Sequence, residues 1–140
     1  MRHGLRILAA AAIALSCAGC PTTQQHLLDS NVDQLRIRSI QTRVFDTTDR
    51  KAVLVATIST LQDLGYVVDK ADADLGTVTA TKLSGYSSRV TATVRPRGEK
   101  QVAVRASIEY NDNTVDDPQT YQDFFVALGK SLFLSAHQMD

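Results

Sequence analysis

Between Leu75 and Tyr110 the chain alternates apolar and polar residues almost without interruption. Leu75 to Leu83 (LGTVTATKL) sets Val78 and Ala80 against Thr77, Thr79 and Thr81. Ser88 to Arg95 (SRVTATVR) sets Val90, Ala92 and Val94 against Arg89, Thr91, Thr93 and Arg95. Lys100 to Tyr110 (KQVAVRASIEY) sets Val102, Val104, Ala106, Ile108 and Tyr110 against Ala103, Arg105, Ser107 and Glu109. A period of two with one apolar face predicts half-buried antiparallel strands. Pro96-Arg97-Gly98-Glu99 between the last two runs predicts a tight turn, with proline setting φ and glycine accepting a positive one. A sheet with one apolar face must be covered on that face, so other parts of the chain must supply a second layer.

Two segments have the spacing to do so. Leu54, Ile58, Leu61 and Leu64 recur at helical intervals and predict a helix from about Thr48 to Leu64, with these four as its buried stripe. The residues before it, Asp46-Thr47-Thr48-Asp49, suit an N-cap, and Gly65 suits its end. Tyr121, Phe124, Phe125, Leu128 and Leu132 predict a second helix, from Asp117-Pro118 to about Ala136. Gly129 beside that stripe suggests a close approach of helix to sheet. Ile37 to Phe45 reads as a first strand, Tyr66 to about Ala71 as a second, and Asn111 to Asp117 as a loop. The predicted order is β-α-β-β-β-β-α. The predicted fold class is α+β, a two-layer antiparallel sheet with both helices packed on one face, similar to the helix-grip arrangement.

The N-terminus sets location. Met1 to Cys20 (MRHGLRILAAAAIALSCAGC) has a basic start at Arg2 and Arg6, an apolar run and a small-residue ending, the pattern of a secretory signal. The apolar run is short of the roughly 20 residues that span a bilayer. The ending resembles the lipobox of bacterial lipoproteins. Ala18 and Gly19 match the two positions before the family's cysteine, and Cys17 stands where leucine is usual. The resemblance implies cleavage after Gly19 and lipidation of Cys20, with Cys17 as a poorer alternative acceptor. Two or three acyl chains would make membrane attachment effectively permanent. Pro21 follows rather than aspartate, and by resemblance to enterobacterial lipoprotein sorting rules that favours the outer membrane, with the domain facing the periplasm. The expected organisation is residues 1–19 as signal peptide, 20–35 as lipidated cysteine and polar tether, and 36–140 as one periplasmic domain.

Loss of the signal leaves roughly 120 residues, enough for a single core. Both cysteines lie in the signal region, so the mature domain has no thiol for a disulfide, a metal or nucleophilic catalysis. A net charge of zero argues against a nucleic-acid partner. The segment LQDLGYVVDKADADLGTVTAT (Leu61 to Thr81) resembles a pattern of BamC-type lipoprotein domains: helix, Leu-Gly-aromatic, strand, turn, Gly-strand. That resemblance implies a small envelope lipoprotein and carries over no functional residues.

A catalytic constellation is not legible. His3 lies in the signal, His26 in the tether and His137 at the C-terminus, which leaves a hydrolase only His137 as a base. Asp112, Thr114 and Asp116 alternate as calcium ligands do, but the glycine and glutamate of an EF-hand loop are missing, and a solvated turn is the simpler reading. Asp69, Asp72 and Asp74 read the same way. No cofactor is expected.

The polar face of the sheet carries more. Arg89, Arg95 and Arg105, with Lys82 near the edge, punctuate a threonine-rich surface. Lys82 to Arg105 holds six basic residues and one acid, and Glu109 to Asp140 six acids and one base. Long basic side chains can simply guard a sheet against edge aggregation. They can also dock an acidic partner surface or membrane phosphate groups. Tyr86, in the Ser84 to Ser88 loop, is either a contact anchor or packs back on its own hairpin. The leading expectation is a non-enzymatic interaction or accessory subunit of an envelope assembly, with a membrane anchor and an envelope protein partner. The alternative is a small-ligand or lipid carrier with a groove between the C-terminal helix and the sheet, lined by Phe124 and Phe125.

Overall fold

The structure, a computed structural model, describes residues 32–137, with side chains to Leu134. Two compact units divide at Leu35 and Arg36. The unit from Arg36 is described below.

Its first residues are helical, not extended: the helical segment covers 32–40. Ile37 and Ile40 are half-buried and three apart, a helical spacing, while Arg36, Arg38 and Ser39 face water. The Gln41 N–H donates to the Ile37 carbonyl at 3.0 Å and closes the last turn. The strand expected from Ile37 is therefore only β1, Thr42–Phe45. After it come α1 (Arg50–Asp63), β2 (Val67–Asp72), β3 (Thr77–Leu83), β4 (Ser87–Arg97), β5 (Gln101–Tyr110), β6 (Asn113–Thr114) and α2 (Pro118–His137). The antiparallel sheet runs β1-β5-β4-β3-β2, with β6 also on β5. Its apolar face and both helices share one core. Val78 and Ala80, Val90 to Val94, and Val102 to Ile108 on alternate positions meet Val53, Leu61, Tyr121, Phe124, Phe125 and Leu128. This is the two-layer α+β fold expected from the alternation.

Asp49 caps α1, its carboxylate accepting the Ala52 N–H at 2.8 Å. Of the expected stripe, Leu54 and Leu61 are buried and Ile58 packs half-buried against the core, while Leu64 lies outside as the C-cap. The buried face also takes in Val53, Ala56, Thr57 and Thr60. Thr57 and Thr60 can be buried because their hydroxyls donate back to the Val53 and Ala56 carbonyls, at 2.8 and 2.7 Å.

β4 continues through Pro96, so the turn is shorter than the sequence predicts. Pairing of β4 with β3 ends at Thr93 and Thr77, while pairing with β5 continues to Arg97. Pro96 thus sits where β4 is an edge, a place in a sheet where a missing N–H is harmless.

Asn111 to Asp117 is more ordered than a loop. Asn111 and Asp112 hold φ of 48° and 65°. Two successive positive φ values make the turn of a tight hairpin, here between β5 and β6.

β1 and β6 share one edge of β5 and leave a gap between them from Ala106 to Ile108. Two backbone bonds and one side chain close it. The Ala106 N–H donates to the Gln41 carbonyl at 2.9 Å. The Ile108 N–H donates to the Tyr121 hydroxyl at 3.2 Å, and that hydroxyl donates to the Val115 carbonyl at 2.9 Å. The Val115 N–H returns to the Ile108 carbonyl at 2.8 Å. The fully buried Tyr121 hydroxyl therefore replaces one link of the ladder.

Gly129 does not bring α2 close to the sheet. A Cβ added there meets nothing within 4 Å. Gly129→Ala is expected to raise stability by about 1 kcal/mol, the helix-interior difference between the two residues, measured as a higher midpoint in urea unfolding.

Candidate functional site

Parity assigns each strand residue to a face. On the side away from the helices lie Thr77, Thr79 and Thr81 of β3, Arg89, Thr91, Thr93, Arg95 and Arg97 of β4, and Gln101, Ala103, Arg105, Ser107 and Glu109 of β5. The register sets Arg89 opposite Glu109, Thr91 opposite Ser107, Thr93 opposite Arg105 and Arg95 opposite Ala103. Thr42 of β1 completes the row through Arg105 and Thr93.

The five docking residues expected from the sequence do not gather in one place. Lys82 shares parity with Val78 and Ala80 and turns to the helix side. Its ammonium donates to the Leu64 carbonyl at 2.9 Å and lies 5.7 Å from the centre of the Tyr66 ring. A cation there satisfies the C-terminal end of α1, so Lys82 belongs to the fold rather than to the threonine-rich face. Tyr86 meets Tyr110 edge-on at 5.2 Å and so packs on the end of β5, the strand beside its hairpin, while remaining half-exposed. Burial raises the Tyr110 hydroxyl above its ordinary pKa, with Tyr66 and Tyr86 adding to the shift.

Arg89 is on the open face but is engaged. Its guanidinium lies 3.8 Å from both Glu109 and Asp112. Six residues along an extended strand place it about 20 Å from Arg95.

Arg95 and Arg105 do come together. They sit diagonally on β4 and β5 and line a shallow concavity of about 490 Å³ with Thr42, Thr91, Thr93, Ala103 and Ser107. Neither pairs with a carboxylate among the described residues. The Arg105 guanidinium donates to Gln41 Oε1 at 3.1 Å. Gln41 is only 3% exposed, and its Nε2 donates to the Tyr121 hydroxyl at 3.3 Å. A buried amide thus fixes a surface arginine and is itself fixed by the residue that closes the β5 edge. Gln41 is the residue sequence reasoning missed. It stands between a helical turn and a four-residue strand, and no periodicity marks it.

The acidic turns have structural work. Asp72 accepts the Leu75 N–H at 2.8 Å. Asp117 accepts the hydroxyl and the N–H of Thr120, at 2.7 and 3.0 Å, and those bonds hold its carboxyl below the ordinary range. Among the described residues no three His, Cys, Asp or Glu are placed to hold a metal ion. Phe124 and Phe125, the expected groove residues, are buried in the core and pack edge to face at 5.2 Å. Cys20, Cys17 and the tether lie outside the described residues. Among the described residues no helix is long and apolar enough to cross a membrane. Against protein-family models and curated proteins, the chain has no match.

Proposed function

We propose that the protein is a lipid-anchored, non-enzymatic accessory subunit of a bacterial envelope assembly. Cys20 holds it in the outer membrane, and the unit from Arg36 works in the periplasm. Its working surface is the open face of the sheet, which meets anionic groups of that assembly. The observation that carries this reading is the Arg95–Arg105 concavity: two arginines without carboxylate partners among the described residues, on a face that neither α1 nor α2 covers. The lipobox-like ending of the signal and the BamC-type pattern around Gly65 support the location. A basic surface of this kind accelerates encounter with an acidic one and selects against basic partners.

The test is crosslinking in living cells with a C-terminal tag, comparing wild type, Cys20→Ala and Arg95→Glu/Arg105→Glu. Envelope proteins captured by the wild type should fall about tenfold or more in both variants, the equivalent of 1.4 kcal/mol of binding. A wild-type protein recovered alone, or undiminished capture by the arginine variant, would count against it.

A further inference from the structure

We propose that the Arg95–Arg105 concavity binds a phosphoryl group, the doubly charged end of a phosphate monoester. This rests on the open face being the working surface and names the anion it takes.

The lining side chains favour a small anion. Two guanidiniums and the hydroxyls of Thr42, Thr91, Thr93 and Ser107 can all donate, and no carboxylate lines the concavity. The donors come from three strands and so approach a central group from several directions. A tetrahedral oxyanion accepts in all of them, whereas a carboxylate accepts in one plane. Ala103, opposite Arg95, leaves the floor between the two arginines low. Diagonal neighbours on adjacent strands are about 7–8 Å apart, close enough for one anion to touch both arginines.

The site is also set in advance. Two like charges at this distance repel, and a flexible pair would point apart into water. Arg105 is held by the buried Gln41 amide, which is anchored to Tyr121. Orienting a long side chain before binding removes an ordering cost that the ligand would otherwise have to overcome. The lining has no aromatic or large aliphatic side chain to anchor an apolar group, so charge and hydrogen bonding are what it offers a ligand. The phosphoryl group can come from a membrane headgroup or from a soluble phosphate ester, and the two are separable by experiment.

The experiment uses the full lipidated chain in neutral detergent micelles. Inorganic phosphate is titrated at constant ionic strength, and the amide signals of Thr42, Thr93 and Arg105 are followed by NMR. Saturable shifts with a dissociation constant on the order of 1 mM are expected. Arg95→Gln and Arg105→Gln should each weaken binding about tenfold, and Gln41→Leu should weaken it with Arg105 still present. Arg95→Gln changes an exposed side chain and keeps the test valid if Gln41→Leu fails to fold. Saturation by phosphatidic acid in the micelles at lower concentration than by glycerol phosphate assigns the headgroup. Equal saturation assigns the soluble ester. Shifts that do not saturate, that chloride reproduces, or that persist in Arg95→Gln/Arg105→Gln overturn the proposal. Saturation by a glutamate-rich peptide but not by phosphate also overturns it, while leaving the working face intact. The crosslinking experiment judges that face separately.

Discussion

Tyr121→Phe is expected to lower the stability of the unit from Arg36 by about 2–4 kcal/mol, although it removes a single oxygen atom. The hydroxyl uses its whole hydrogen-bonding capacity. It donates to the Val115 carbonyl and accepts from the Ile108 N–H and Gln41 Nε2. Its residue is 1% exposed. Phenylalanine fills the same volume, so no cavity term enters, and what remains is the desolvation of groups left without partners. One buried donor left unpaired costs about 1–3 kcal/mol. Two donors and an acceptor would exceed that, but the acceptor is only partly buried and can take water. Equilibrium urea unfolding should show a lower midpoint with an unchanged slope, since the surface exposed on unfolding is the same. Hydrogen exchange at Ile108 should speed up more than at Val104, which sits within the β1 pairing. A loss below about 0.5 kcal/mol would mean that the hydroxyl does not serve as a ladder link. Phosphate affinity should fall with it, because Gln41 loses the contact that holds it beneath Arg105.

The alternation that defines the sheet was legible because a period of two cannot slip by one residue without turning Val90, Ala92 and Val94 into water. It also put Arg89, Arg95 and Arg105 on one face. It could not show that Arg89 is engaged, because that depends on the register that brings Glu109 opposite it. Nor could it reveal Gln41, which is separated from Arg105 by 64 positions and whose role exists only once β1 lies on β5. The α1 stripe is only partly legible, for a different reason. Threonine counts as polar in a sequence pattern, yet Thr57 and Thr60 satisfy their own hydroxyls on the preceding turn and enter the core. β6 has two residues, too few for any period, and only the backbone angles of Asn111 and Asp112 reveal its turn. Lys82 carried the expected charge on the other face, where the end of α1 uses it.

Gly76→Ala should destabilise the fold by about 3 kcal/mol or more, the opposite sign from Gly129→Ala, and the contrast comes from local geometry alone. Gly76 ends the turn into β3 at φ +66°, a conformation that disfavours any side chain. Its carbonyl accepts the Val94 N–H at 2.7 Å. That bond draws the β4 backbone in so far that an added Cβ would lie 2.4 Å from the Val94 carbonyl oxygen, and backbone cannot rotate away. Val94 is fully buried, so moving β4 would disturb the core. Adverse backbone conformation contributes about 1–3 kcal/mol and forced repacking a similar amount. Arg50 adds a constraint, since its guanidinium binds the Ala73 and Asp74 carbonyls, at 2.6 and 3.2 Å, and pins the turn from the α1 side. Thermal unfolding of the two alanine variants beside the wild type is the measurement. Gly76→Ala should melt well below it and Gly129→Ala slightly above. If Gly76→Ala melts with the wild type, the turn can move away from β4, and the close approach assigned to Gly76 is wrong. If it melts far below, the close packing that the sequence suggested at Gly129 belongs instead at Gly76, where a hairpin turn lies tight beside the neighbouring strand.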